Sequence, residues 1–362
     1  MRLRISLVVV SCILSILIGL SIARSGKKDG PGREILSRQR PLIGLSLDTL
    51  KEERWQGDRD MIVKRATELG ADITVQSANS DDTRQISDVQ ALITSKVDVL
   101  VIVAHNGAAM AKAVEMAHQA GIPVLSYDRL ITGCDVDLYM TFDNVKVGEL
   151  QAKYLTERFA SSGSAPKRLV RIYGSKTDNN ALLFKEGQDH ILLPLIQSGA
   201  IEIIHEDWAE DWRPENAKKI ANAALTKAGP ARFDAILASN DGTAGGAIQA
   251  LTEEGLAGKI IVTGQDAELA ACQRIVAGTQ AMTIYKPLTQ LASQAAEVAI
   301  KLAKRRPIFA KAEINNGLTN VPSVLLDVIA VTRDNLRETV IKDGFQKSEA
   351  IYAGQPAAQT SL

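Results

Sequence analysis

Residues 97–107 read VDVLVIVAHNG and residues 233–242 read FDAILASNDG. In both, an aspartate leads into a short aliphatic run that stops at asparagine and glycine. A run of this length is too short for an ordinary helix and fits a strand buried on both faces. The same design recurs in GIPVLSYDR (121–129) and GKIIVTGQDA (258–267), where the runs end on Tyr127-Asp128-Arg129 and Gln265-Asp266. Eight such runs follow one another: Ile43–Leu47, Val97–Val103, Val124–Leu125, Leu169–Ile172, Ile201–Ile204, Ala235–Ala238, Ile260–Val262 and Met282–Ile284. Between them apolar residues return at helical spacing, as at Met61, Ile62, Ala66 and Leu69, or at Met110, Ala113, Val114 and Ala117. Strands alternating with helices predict a parallel sheet covered on both faces. The pattern breaks at SSGSAPK (161–167) and restarts, so the expected fold class is α/β, with two doubly wound parallel-sheet lobes.

The first lobe is expected over residues 41–147 and the second over 148–286. A third section after Lys286-Pro287 carries a helix through Leu291, Ala295, Val298 and Leu302, then a strand-like Ser323–Val331. It is read as returning to complete the lobes, residues 287–320 joining the first and 321–345 the second, which makes a three-segment hinge. Asp143 or Asn144 is expected to cap the helix that follows, and Asn179 and Asp241 to cap two others. Residues 346–362 are rich in Gln, Ala, Ser and Pro and read as a disordered tail.

Lys+Arg and Asp+Glu both number 42, giving no net charge. That balance provides no electrostatic footprint for nucleic acid or an anionic membrane surface. Arg2 and Arg4 precede an apolar stretch from Ile5 to Ile22 that closes in Ser21-Ile22-Ala23. Residues 1–23 therefore read as an export signal. The stretch is also about long enough to span a bilayer and remain as an anchor. Either alternative places the folded part outside the cytoplasm, in the periplasm or its equivalent. Residues 24–40, with Gly, Lys, Arg, Ser and Pro31, read as a flexible linker. Beyond the signal, Cys134 and Cys272 match no zinc or CxxC spacing. They are read as buried thiols, or as one disulfide tying the lobes.

In open α/β sheets, ligands bind beyond the carboxyl ends of the strands, so the residues that stop each run are candidate contacts. Aromatic residues make up only 4% of the chain, which makes each tryptophan worth tracking. Trp55 and Trp212 stand in loop-like surroundings and offer flat apolar faces for the C–H side of a sugar ring; Trp208 is the weaker candidate. The hydroxyl rim of a sugar needs hydrogen bonds. Asp128 with Arg129, and Asp266 facing Lys286, would clamp it through charged groups, which bond about twice as strongly as neutral ones. Asn180 and Asn240 add amides that donate and accept together.

No GxSxG elbow, Walker loop, GxGxxG fingerprint, HExxH or calcium loop occurs, so no enzyme, cofactor or metal reading is made. Of the four histidines, His118 and His190 fall in helical stretches, and His105 closes a strand beside the expected cleft. Asp128 and Asp266 would not serve as a glycosidase pair, because their cationic neighbours would keep both ionised.

The segments ERWQGDRD (53–60), VQSAN (75–79), SYDR (126–129), FDNVKVGELQA (142–152), DNNA (178–181), SNDGTAGGAIQAL (239–251), GQDA (264–267), AGTQAMTIYKP (277–287) and VIKDGF (340–345) together resemble the type I periplasmic sugar-binding proteins, and within them the xylose-binding group. The resemblance runs from Ile43 to Phe345. It implies capture of a monosaccharide between two closing lobes by a monomer, and delivery to the permease and ATPase of an ABC transporter. It also implies contacts from Arg54, Trp55, Asp128, Arg129, Asn180, Trp212, Asn240, Asp266 and Lys286. Ala104-His105 departs from the Pro-Tyr pair that similar proteins carry before Asn106-Gly107. A sugar-sensing subunit for a membrane receptor, or a binder of another aldose such as ribose, shares these features. A repressor of the LacI type would begin with a helix-turn-helix where this chain has its export segment.

Overall fold

A computed structural model describes residues 40–353, apart from 162, 164 and 165. The export segment, most of the linker 24–40 and residues 354–362 lie outside the described residues. The first half of the chain runs β1 (Leu42–Leu47), α1 (Glu53–Glu68), β2 (Asp72–Ser77), α2 (Asp82–Thr94), β3 (Val99–Ile102), α3 (Ala111–Gln119), β4 (Val124–Tyr127) and β5 (Leu138–Phe142). The pattern resumes with α4 (Asn144–Ala160), β6 (Lys167–Tyr173), α5 (Asn179–Gln197), β7 (Ile201–Trp208), α6 (Pro214–Ala228), β8 (Ala235–Ala238), α7 (Asp241–Glu253), β9 (Ile261–Val262) and α8 (Leu269–Ala277). The last section holds β10 (Thr283–Tyr285), α9 (Leu288–Ala303), β11 (Ala312–Asn315), β12 (Asn320–Leu326), β13 (Ile329–Val331) and a short α10 (Ser348–Ile351).

Two doubly wound lobes result. The first sheet has the order β11-β12-β5-β4-β3-β1-β2 and is parallel except for β11; the second has the order β7-β6-β8-β9, and β10 pairs with β13 in a separate antiparallel ribbon. The central strands β3, β4, β5 and β8 are buried along their whole length, as sheets covered on both faces require. Trp55, Leu125, Tyr127 and Phe142 fill one core of the first lobe with the apolar face of α9, and Ile172, Ile236, Ala238 and Leu251 belong to a core of the second. Among the described residues, no helix is long and apolar enough to cross a membrane.

Several expectations change. The stretch Ser323–Val331 is not one strand of the second lobe. Ser323–Leu326 pair in parallel with Tyr139–Phe142 of the first sheet, and the chain crosses at Asp327-Val328 before Ile329–Val331 pair with β10. Apolar spacing marks a strand but carries nothing about which edge will hydrogen-bond to it. Residues 346–353 are not a disordered tail: Ile351 is fully buried against Cys272, Val276 and Tyr285, and Gln273 Nε2 donates to Ala350 O at 2.9 Å. Tyr352 packs on the same cluster, and Gln346 Nε2 donates to Ala267 O at 3.4 Å, so the segment is held at both ends. The helix caps fall one residue early. Asp178 accepts from Asn180 N and Asn240 from Thr243 N, so Asn179 and Asp241 are first helical residues; Asp143 caps α4. Both cysteines are free and buried, with no disulfide between the lobes.

The contact of α4 with α5 depends on two glycines. A Cβ at Gly148 would stand 2.0 Å from Phe184 O, and one at Gly187 would stand 1.9 Å from Val145 O. Backbone at that range has no flexible side chain to yield. Gly187→Ala is therefore expected to destabilise the protein by about 1–3 kcal/mol, the usual cost of overpacking, read as a lower midpoint in denaturant unfolding. An unchanged midpoint would mean that the helices separate freely.

Candidate ligand-binding site

Each expected contact sits where a strand ends or a helix begins. Arg54 and Trp55 lie in the first turn of α1, after β1. Asp128 and Arg129 follow β4, with Asp128 held at φ 63°. Asn180 is in the first turn of α5 behind its cap Asp178. Trp212 ends the 3₁₀ turn Glu210–Trp212, Asn240 caps α7, Asp266 follows β9 and Lys286 follows β10. The nine converge on one cavity, whose wall also includes Glu52, Asp178, Phe184 and Gln265. Gln265 stops a strand-like run in the sequence, and Asp178 opens the segment DNNA. Phe184 stands four residues after Asn180, on the same helix face. Nothing in the sequence marked Glu52. Trp208 lies apart from the cavity and stacks on Tyr173 at 4.7 Å between ring centroids.

Charge inside the cavity is almost fully paired. Arg54 bonds to Asp128 and lies 3.4 Å from both Asp266 Oδ1 and Asp58 Oδ2. Arg129 donates from Nη1 to Asp48 Oδ2 at 2.7 Å, and its Nε is 2.9 Å from Asp178 Oδ2. Lys286 Nζ stands 3.3 Å from Asp266 Oδ1. Asn180 Nδ2 donates to Asp128 Oδ1 at 2.9 Å, and Trp212 Nε1 donates to Asp178 Oδ2 at 3.1 Å. Three of these links join one lobe to the other: Arg54 to Asp266, Arg129 to Asp178, and Asn180 to Asp128. Asn240 uses its Oδ1 on Thr243, which leaves its amide N–H groups as donors.

The indoles form two walls. Trp55 is 4% exposed, with the Arg54 guanidinium 4.4 Å from its ring centroid and that of Arg129 at 5.2 Å. Trp212 is 8% exposed and meets Phe184 edge-on, 6.2 Å between centroids. Gly174 lies directly beneath Trp212: a Cβ there would be 2.0 Å from Cη2 of the indole.

Burial and paired charge compete in setting the ionisation of these groups. Burial would raise the Asp128 carboxyl, but Arg54, Lys286 and Arg129 outweigh it and hold Asp128 below the usual carboxylate range. Burial lowers Lys286, with Arg54 adding repulsion, against the pull of Asp266. Burial raises Asp178 despite Arg129, and raises Asp58 to about 7 despite Arg54. Glu52 is raised by burial too. Asp128 is thus a fixed anion on the cavity wall, whereas Asp58, behind Arg54, titrates near neutrality. His105 does not line this cavity; its ring nitrogens face Asp82 and Asp211. Among the described residues no cluster is arranged to hold a metal ion.

Residues 43–307 match the profile of the periplasmic binding protein domain. The chain belongs to that family. It is 52% identical over 310 residues to the D-xylose-binding periplasmic protein of Haemophilus influenzae, covering 86% of this chain and 92% of the relative. To the Escherichia coli protein of the same name it is 49% identical over 309 residues, with 85% and 92% covered. A carbohydrate transporter solute-binding protein from Chloroflexus aurantiacus, solved in complex with D-glucose, superposes with a TM-score of 0.81 at 33% identity, covering 86% of this chain and 98% of that one. The fold is the type I periplasmic binding protein fold, and this family captures solutes outside the cytoplasm rather than transforming them.

Two expectations follow for the periplasmic binding protein. Asp58 has a folded pKa near 7 against about 4 when unfolded. Between those values the native state binds a proton that the unfolded state has released, so this group loses stability as pH rises through that window. Asp58→Asn removes the term. The melting temperature of the variant minus that of the wild type should grow from about pH 4 to pH 7 and then level off; a constant difference would contradict the burial argument. Gly174→Ala should push the Trp212 indole off its seat, shifting its fluorescence and weakening ligand binding by about tenfold or more, the cost of a misplaced stacking face. Unchanged affinity would show that Trp212 is only a wall.

Proposed function

We propose that this protein binds D-xylose between its lobes and presents the closed form to the permease of an ABC transporter, whose ATPase subunit drives import. The observation that carries the reading is the cavity itself: two indole walls with a rim of Asp128, Arg129, Asn180, Asn240, Asp266 and Lys286. Indoles take the C–H faces of a pyranose, and fixed charges take its hydroxyls. The two relatives near 50% identity, both named for D-xylose, support the choice of sugar. Arg54, Trp55, Asp128 and Arg129 act from the first lobe, Asn180, Trp212, Asn240 and Asp266 from the second, and Lys286 from a crossover. A ligand held from both sides favours the closed state only through its higher affinity for that state. Micromolar affinity needs about −8 kcal/mol. Over the roughly ten heavy atoms of a pentose this stays below the ceiling of about −1.5 kcal/mol per atom. Export through residues 1–23, cleaved or kept as an anchor, would bring the protein to the permease.

Calorimetry tests the reading directly. D-Xylose is expected to bind at one site per chain. Asp266→Asn, which weakens a desolvated charged contact, should cost about thirtyfold or more, the lower end of the roughly 2–5 kcal/mol such contacts carry. Tight binding of ribose or glucose without xylose would reassign the sugar, and no binding of any aldose would remove the reading.

A further inference from the structure

We infer that His105 and Asp211 form a proton-dependent clasp between the lobes, one that positions Trp212 and makes sugar affinity depend on pH. His105 leaves β3 of the first lobe; Asp211 precedes α6 of the second. The imidazole Nδ1 is 2.7 Å from Asp82 Oδ1, and Nε2 is 3.3 Å from Asp211 Oδ1. A carboxylate only accepts hydrogen bonds, and a neutral imidazole has a single N–H. Both contacts are therefore satisfied at once only by the imidazolium. The ring is 14% exposed, Asp211 23% and Asp82 35%, so water screens the contacts only in part.

The surroundings agree. From α2 come Asp82 and Gln85, whose Oε1 accepts from His105 N at 2.9 Å. Asn106 Nδ2 donates to Asp82 Oδ2. From the end of β1 comes Asp48, itself held by Arg129. From the second lobe come Asp211 and Arg213, whose Nε is 3.5 Å from Asp211 Oδ2. Burial lowers the His105 pKa, but Asp48, Asp82 and Asp211 together raise it above the ordinary value. A backbone bond from Gly107 N to Thr177 O, at 3.3 Å, joins the lobes beside the clasp.

Asp211 and Trp212 both have positive φ, 52° and 58°, a region that costs non-glycine residues strain. The charged bond to His105 is what offsets that strain while presenting the indole. When the lobes separate, Asp82 stays with His105 and Asp211 departs. The closed form therefore holds the His105 proton more tightly, and closure takes up a fraction of a proton near neutral pH. The contribution is complete at low pH and lost as pH rises through the closed-state pKa.

The inference rests on the sugar-binding reading for one arm of its test. D-Xylose calorimetry from pH 5.5 to 8.5, in buffers of differing ionisation enthalpy, should show an affinity loss across this range about three- to fivefold larger in the wild type than in His105→Gln or Asp211→Asn, the size of a partly exposed charged pair. Proton uptake on binding should fall in both variants. Asp58 and Glu268 also titrate in this range, and they are common to all three proteins, so the difference isolates the clasp. Equal slopes and equal uptake would overturn it. The second arm needs no ligand: in protein locked closed by a disulfide engineered between the lobes, the His105 ring resonance, assigned by its loss in His105→Gln, should titrate at lower pH in Asp211→Asn. An unmoved titration overturns the clasp whatever sugar binds, and failure of every aldose to bind with a moved titration would count against the sugar alone.

Discussion

The contact of Arg54 with Asp128, buried between the lobes and extended to Asp266 and Asp58, is the constraint around which the site is organised. Removing charges from water is expensive, and their mutual attraction repays it only with good geometry and further hydrogen bonds. The cavity meets that condition by giving each arginine more than one carboxylate. Arg54 has Asp128, Asp266 and Asp58, while Arg129 has Asp48 and Asp178. Burial then shares the excess negative charge unequally. Asp128 stays firmly ionised, and Asp58 behind it is lifted to about 7. What reaches a ligand is a rigid set of donors and acceptors whose charge state is set before binding.

That set is held by backbone as much as by side chains. Asp128, Asp211, Trp212 and Asp266 all have positive φ, and three of the four line the cavity. Strained backbone concentrates where a fold must aim a side chain against its local preference. At these positions the strand has ended and the next α-helix has not begun, so repeating backbone geometry no longer dictates φ. Glycines serve the same end from beneath. The bare face of Gly174 lets the Trp212 indole lie flat against the chain, and Gly148 and Gly187 bring α4 and α5 together.

Much of this was legible in the residues alone. Short buried strands announced themselves as uninterrupted aliphatic runs, and the residues at their ends, read with the resemblance, named the nine side chains that share the cavity. β2 and β5 escaped notice. In β2 (DITVQS) polar residues alternate with apolar ones, and β5 (LYMTF) hides a threonine and a tyrosine whose hydroxyls reach the Asp128 carbonyl. Glu52 and Phe184 escaped as well, because one precedes a helix without marking it and the other looks like any core residue.

By itself the sequence determined the alternation of strand and helix, the two lobes and the chemistry waiting at the strand ends, because those depend on local periodicity and on which side chains can carry charge or stack. Only the tertiary structure decided which sheet receives β12, that Ile351 anchors the chain after Gln346, and that His105 faces Asp211 rather than the cavity. These are pairings between residues far apart in the chain. They follow from how whole elements pack, and no single segment carries the information about its partner.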